Sequence, residues 1–174
     1  MIFFVIDIIL NFVPTTLGKK MKIYFLSVIL FLSANSVYGH CQVPCGIYDD
    51  AVRILLIQED FSTIKKAMSE IKNYSKKDDP QSLNQLSRWI STKEDHATNI
   101  QNVISSYFLI QRVKSKNSNY VEHLKLLHEV LVYAMKCKQS IDVTYVDSGL
   151  NSINKFSKSY LDEHGLEHLK KLKN

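Results

Sequence analysis

From Ile57 to Tyr160, apolar residues return three and four positions apart in four successive stretches, a period that gathers side chains on one face of a helix. The first stretch runs Ile57, Phe61, Ile64, Met68 and Ile71. Asp79-Pro80 then reads as an N-cap followed by proline in the first helical position. The second stretch presents Leu83, Leu86, Ile90, Ala97, Ile100, Ile104 and Phe108. A polar break from Lys114 to Asn119 precedes the third, with Leu124, Leu127, Leu131 and Ala134. A turn near Gln139-Ser140 leads to the fourth, with Val146, Ile153, Phe156 and Tyr160. Four amphipathic helices joined by short loops predict an all-α, antiparallel four-helix bundle. No stretch alternates as a strand, no repeat or low-complexity linker appears, and the tail from Gly165 to Asn174 is expected to fray.

Two regions divide the chain. Residues 1–39 hold one acid, Asp7, and three lysines, Lys19, Lys20 and Lys22, among apolar runs. Residues 40–174 are polar, rich in Lys, Glu, Asn and Ser and poor in Gly and Pro, one domain able to bury a core. Within the first region, Met21 opens a segment with Lys22 as its positive start and Phe25 to Leu32 as a short apolar centre. Val37 and Gly39 stand where a signal peptidase reads small residues. Residues 21–39 therefore predict a signal peptide, with cleavage before His40 and export to a periplasm, an organelle lumen or the exterior. The apolar centre is short for a membrane span, although the features also admit an anchor that stays attached. Residues 1–20 belong to a longer leader or follow from a start codon upstream of Met21.

Of the formal charge of +5, the leader's three Lys and one Asp account for two units, leaving +3 on residues 40–174. Acids interrupt the basic side chains, as in Lys76-Lys77-Asp78-Asp79, so the chain lacks the clustered footprint of a nucleic-acid binder. A mild positive charge suits encounter with a small anion.

The stretch after the expected cut, His40 to Asp50, reads HCQVPCGIYDD. A free α-amine on His40 and the backbone nitrogen of Cys41 close a small chelate ring, and that nitrogen with the Cys41 sulfur closes another. Pro44 and Gly46 suit the turn that brings Cys45 back to the same centre. The set is planar, two nitrogens and two thiolates, with the His40 imidazole free for an axial position. Planar N/S donors suit Ni(II) or Cu(II), whereas structural zinc takes a tetrahedral cage. Anionic amide and thiolate donors, with an axial imidazole, stabilise a higher oxidation state. Cys41 and Cys45 also suit a small disulfide in an oxidising compartment, which would leave a secreted four-helix interaction module without catalysis. A nickel or copper chelator without turnover is a third reading.

HCQVPCGIY resembles the nickel-hook signature H-C-x-x-P-C-G-x-Y of the nickel superoxide dismutases, matching every fixed position at the expected mature N-terminus. The resemblance implies one nickel ion per chain held by His40, Cys41 and Cys45, a cis Val43-Pro44 bond, and Tyr48 closing over the metal's open face. It implies dismutation of superoxide to dioxygen and hydrogen peroxide by Ni(II)/Ni(III) cycling, in a homohexamer of four-helix bundles, with no nucleic acid and no membrane once the leader is gone. Ser106-Tyr107-Phe108 resembles the family's S-D-Y-F stretch, which makes Tyr107 a second guard near the metal. Tyr48, bound water and a protonated thiolate remain the candidate proton donors.

The chain departs from the better-known members at three places. Gln42 stands where an acid often follows the first two ligands. Arg53-Ile54-Leu55-Leu56 lacks the Glu that orients the axial imidazole, and Thr92 falls where an Arg would share that task. Arg88 and Asp95 are the candidate substitutes.

Other donors are less organised. His164 and His168 are four apart but suggest no third ligand, and both are expected to face solvent. His96, His123 and His128 are expected on polar faces, and Cys137 is expected as a small buried hydrophobe.

Overall fold

A computed structural model describes residues 49–173. All of them belong to the second of the two units, Cys41–Asn174, into which the chain divides. The leader and the hook residues His40, Cys41, Cys45 and Tyr48 lie outside the described residues.

Among the described residues every regular element is helical. Helix α1 is Asp50–Tyr74, and Asp49 caps it by accepting from the backbone nitrogens of Ala51 at 2.8 Å and Val52 at 3.2 Å. Helix α2 is Pro80–Val103, with Asp79 accepting from the Ser82 nitrogen at 3.0 Å and proline at the start, as the sequence predicts. It continues without a break into a π-helical segment, Ile104–Arg112. Helices α3, Tyr120–Gln139, and α4, Thr144–Tyr160, follow.

Each helix packs on the next, and α1 packs on α4, which closes the ring of a four-helix bundle. The directions are antiparallel. Asp50, first in α1, meets Tyr160, last in α4, and His123 near the start of α3 meets Ser159 near the end of α4. Ile54, Ile57, Phe61, Ile64, Ile100, Ile104, Phe108, Leu127, Ile153 and Phe156 form the dry interior. Phe108 meets the Phe156 ring edge-on at 5.3 Å, and Phe156 stacks on Tyr160 at 4.9 Å. Gly149 makes room for Phe61: a Cβ there would lie 2.3 Å from the ring.

Several expectations from the sequence need correction. The tail does not fray at Gly165. Residues Glu163–Lys171 form a fifth helix, α5, capped by Asp162 accepting from the Gly165 nitrogen at 2.8 Å. Buried Leu169 seats α5 on α1. The early part of the α2 stripe does not face the core, since Leu83 and Ile90 are 51% and 43% exposed. The last carbonyls of α3 come level with Lys93, so the opening turns of α2 overhang α3 and have α1 as neighbour.

His123 is not on a polar face. It is buried against Phe156 and Tyr160, at 5.4 Å and 5.7 Å between ring centres, with Nε2 3.1 Å from the Ser159 hydroxyl. Cys137 is buried as expected, and burial pushes its thiol up to about 11. No helix among the described residues is long and apolar enough to cross a membrane.

Candidate active site

The end of the bundle where α1 begins carries a partly buried polar cluster. Asp50 is the first residue of α1, immediately after the cap, so its position is fixed by the helix start. Its Oδ1 accepts from the Tyr107 hydroxyl, and its Oδ2 accepts from the Tyr160 hydroxyl at 2.7 Å. Arg112 lies 3.0 Å from Asp50 Oδ1 through Nε. The same guanidinium donates to Tyr107 Oη from Nε at 2.9 Å and from Nη2 at 2.7 Å. Its carbon stands 5.0 Å from the centre of the Tyr107 ring, and the Arg53 guanidinium stands 5.5 Å from it.

Local helical geometry makes this cluster. In a π-turn the backbone bonds run between residues five apart, so such residues stack along the axis. The Val113 backbone nitrogen donates to the Phe108 carbonyl at 2.8 Å, five residues back, and the Gln111 side-chain Nε2 donates to the Ser106 carbonyl at 2.9 Å over the same separation. Tyr107 and Arg112 are separated by the same five positions. An α-helical continuation would turn Arg112 away from the phenol.

The electrostatics follow from burial and charge. Burial, reinforced by the hydrogen bond to Asp50, raises the Tyr107 phenol above its ordinary value of 10.0. The same two causes raise Tyr160 further. Arg112 is held above its ordinary value, chiefly by its hydrogen bond to Tyr107.

Asp49, beside this cluster, also meets α5: its Oδ2 is 2.8 Å from His168 Nε2. His168 is thus paired and half-exposed, while His164 faces solvent as expected. His96 is paired as well, with Nδ1 2.6 Å from Oδ1 of the buried Asp60, whose other oxygen accepts from Asn99 at 2.7 Å.

Of the residues that the sequence singles out, Tyr107 is described, 2% exposed and at the centre of the cluster. His40, Cys41, Cys45 and Tyr48 lie outside the described residues. Arg88 and Asp95, the candidate partners of the His40 imidazole, are exposed on α2. They lie nineteen and twelve positions before Tyr107, about 28 Å and 18 Å along a helix at 1.5 Å per residue, and neither joins the cluster. Sequence reasoning missed Asp50, Arg112 and Tyr160. Tyr160 reads only as the last core position of the fourth stripe, and Arg112 becomes a neighbour of Tyr107 only once the turn widens.

Among the described residues no group of three or more His, Cys, Asp or Glu is placed to hold a metal ion. The side chains whose chemistry fits nickel are those of residues 40–45 in the sequence, one histidine and two cysteines.

The described helices define the class, an all-α bundle, and the sequence places histidine and cysteine donors ahead of it. The family model for nickel-containing superoxide dismutase matches residues 35–164, which takes in the whole HCQVPCGIY motif, α1 to α4 and Tyr107. The chain belongs to the nickel-containing superoxide dismutase family, and its reaction is the dismutation of superoxide by nickel. No curated protein and no solved structure matches it.

Proposed function

We propose that the dismutation is carried out at an N-terminal hook in which His40, Cys41 and Cys45 hold one nickel ion per chain, with Tyr48 and Tyr107 guarding it. The observation that carries this reading is the hook motif itself, every fixed position of it inside the matched span. Bound nickel supplies the one-electron Ni(II)/Ni(III) couple for both halves of 2 O2− + 2 H+ → O2 + H2O2.

The protein's own residues bind, exclude and orient. Two thiolates and an amide nitrogen are anionic donors, and the His40 amine is a ligand only once the peptide bond before it is cut. Cleavage of the leader before His40 therefore both exports the chain and completes the site. Cys45 precedes Asp49, the cap of α1, by four residues, a reach of at most about 14 Å for extended chain, which supports a nickel site beside the Tyr107 cluster. There Tyr48 and Tyr107 admit a small anion and keep larger reductants away.

The mature chain assembles as a homohexamer. Leu83 and Ile90, exposed and seven positions apart on the overhang of α2, supply an apolar row for contact between copies. Sedimentation of the mature protein tests the assembly.

The site is tested with Cys41→Ser and Cys45→Ser. Each is expected to lose redox-active nickel and superoxide decay together while helicity by circular dichroism is unchanged. Tight retention of redox-active nickel by either variant contradicts the ligand set. A Cys41–Cys45 disulfide in metal-free native protein supports a non-catalytic module instead.

A further inference from the structure

The Tyr107 hydroxyl has one proton to give and two lone pairs to fill. Arginine offers no acceptor and an ionised carboxylate offers no donor, so the direction of each bond is forced. The phenol donates to Asp50 and accepts both Nε–H and Nη2–H of Arg112. Each of these three bonds ties the oxygen to a residue of the bundle end. The carboxylate is braced from the other side by Tyr160, whose ring is fixed by its stack on Phe156.

We infer that Asp50 and Arg112 are positioning residues for the dismutation, locking the Tyr107 hydroxyl into the bundle so that Tyr107 serves as a fixed wall and not as a proton donor. This rests on the reading of Tyr107 as a guard of the metal. Asp50 arrives from the start of α1, Arg112 from the π-helical segment and Tyr160 from the end of α4, so the lock forms only when these elements are assembled. The raised phenol of Tyr107 accords with its burial and its hydrogen bond to Asp50. The protons consumed by the reaction come from elsewhere.

The experiment uses the nickel-loaded mature protein and the substitutions Arg112→Met, Asp50→Asn and Tyr107→Phe, singly and with each of the first two combined with the third. Arg112→Met is expected to lower kcat/KM by about tenfold with nickel content unchanged, as for residues that orient a metal's surroundings. In the Tyr107→Phe background the same change is expected to cost less than about twofold, because positioning acts through the phenol. Tyr107→Phe is expected to lower kcat/KM and leave the shape of its pH profile unaltered.

Phenolate absorbance gives a readout independent of turnover. Taken as the difference against Tyr107→Phe, the Tyr107 ionisation midpoint moves up in Arg112→Met, which removes a cation, and down in Asp50→Asn, which removes an anion. Equal losses in both backgrounds, unmoved midpoints, or loss of a limb of the pH profile in Tyr107→Phe overturn the inference while the guard reading stands. If Tyr107→Phe alone leaves kcat/KM unchanged at full nickel content, the guard reading has failed and takes the inference with it.

Discussion

The hydroxyl of Tyr160 donates to the carboxylate of Asp50 at 2.7 Å, joining the last residue of α4 to the first residue of α1. The bond spans 110 positions of sequence and closes the bundle at the end where α1 begins. Tyr160→Phe keeps the stack on Phe156 and removes only this bond. A hydrogen bond to a charged group contributes about 1.5–3 kcal/mol, so chemical denaturation should show a loss of that size with the α-helical spectrum intact.

Gly149 sits under Phe61, where an added Cβ would lie 2.3 Å and 2.5 Å from two ring carbons. Both residues are buried, so the ring cannot swing into solvent. Gly149→Ala should cost about 1–3 kcal/mol through overpacking. Adding Phe61→Leu should recover part of that loss, and a double-mutant cycle by urea denaturation measures the recovery.

Lys93 is buried along α2, and its ammonium donates to the carbonyls of Cys137 at 2.8 Å and Lys138 at 2.5 Å. Glu94 accepts from it at 2.7 Å. A cation at the C-terminal end of α3 satisfies carbonyls that the helix leaves open and complements its dipole. Lys93→Met preserves the stem and strands those carbonyls, a loss of about 2–4 kcal/mol readable as a lower Tm.

Asp49 links stability to pH. Burial tends to raise its carboxyl, but the amides of Val52 and Ala51, with His168, outweigh that and hold it below 3.8. A depressed folded value means stability that is present above about pH 4 and fades as the pH falls through the folded value. Asp49→Ala should therefore cost about 1 kcal/mol of capping at neutral pH and flatten the acid limb of the stability curve. Thermal melts between neutral and acid pH check both parts.

The four main helices were legible because their buried faces, from Ile57 to Ile71 and from Val146 to Phe156, repeat at the helical period. Asp79-Pro80 was legible because capping chemistry is local. The polar surroundings of Tyr107 were not, since residues five apart meet only in a π-turn and Tyr160 is reached only by the folded chain. Burial of His123 overrode its polarity through two aromatic neighbours and one hydroxyl. Helix α5 was hidden by Gly165, whose backbone nitrogen turns out to be where Asp162 caps. Leu83 and Ile90 carry the right period but overhang the end of α3, and spacing cannot report where a neighbouring helix stops. The family was the most readable feature of all, because the fixed positions of HCQVPCGIY are compressed into a few consecutive residues.

The proposed hook stands or falls with a free amine on His40. Two forms of the full mature chain, one beginning at His40 and one with a single alanine before it, should be loaded with nickel and compared for metal content and superoxide decay. The first should bind one nickel ion per chain and turn over superoxide, and the second should be inactive because its amine has become an amide. Equal activity in the two forms would contradict the hook.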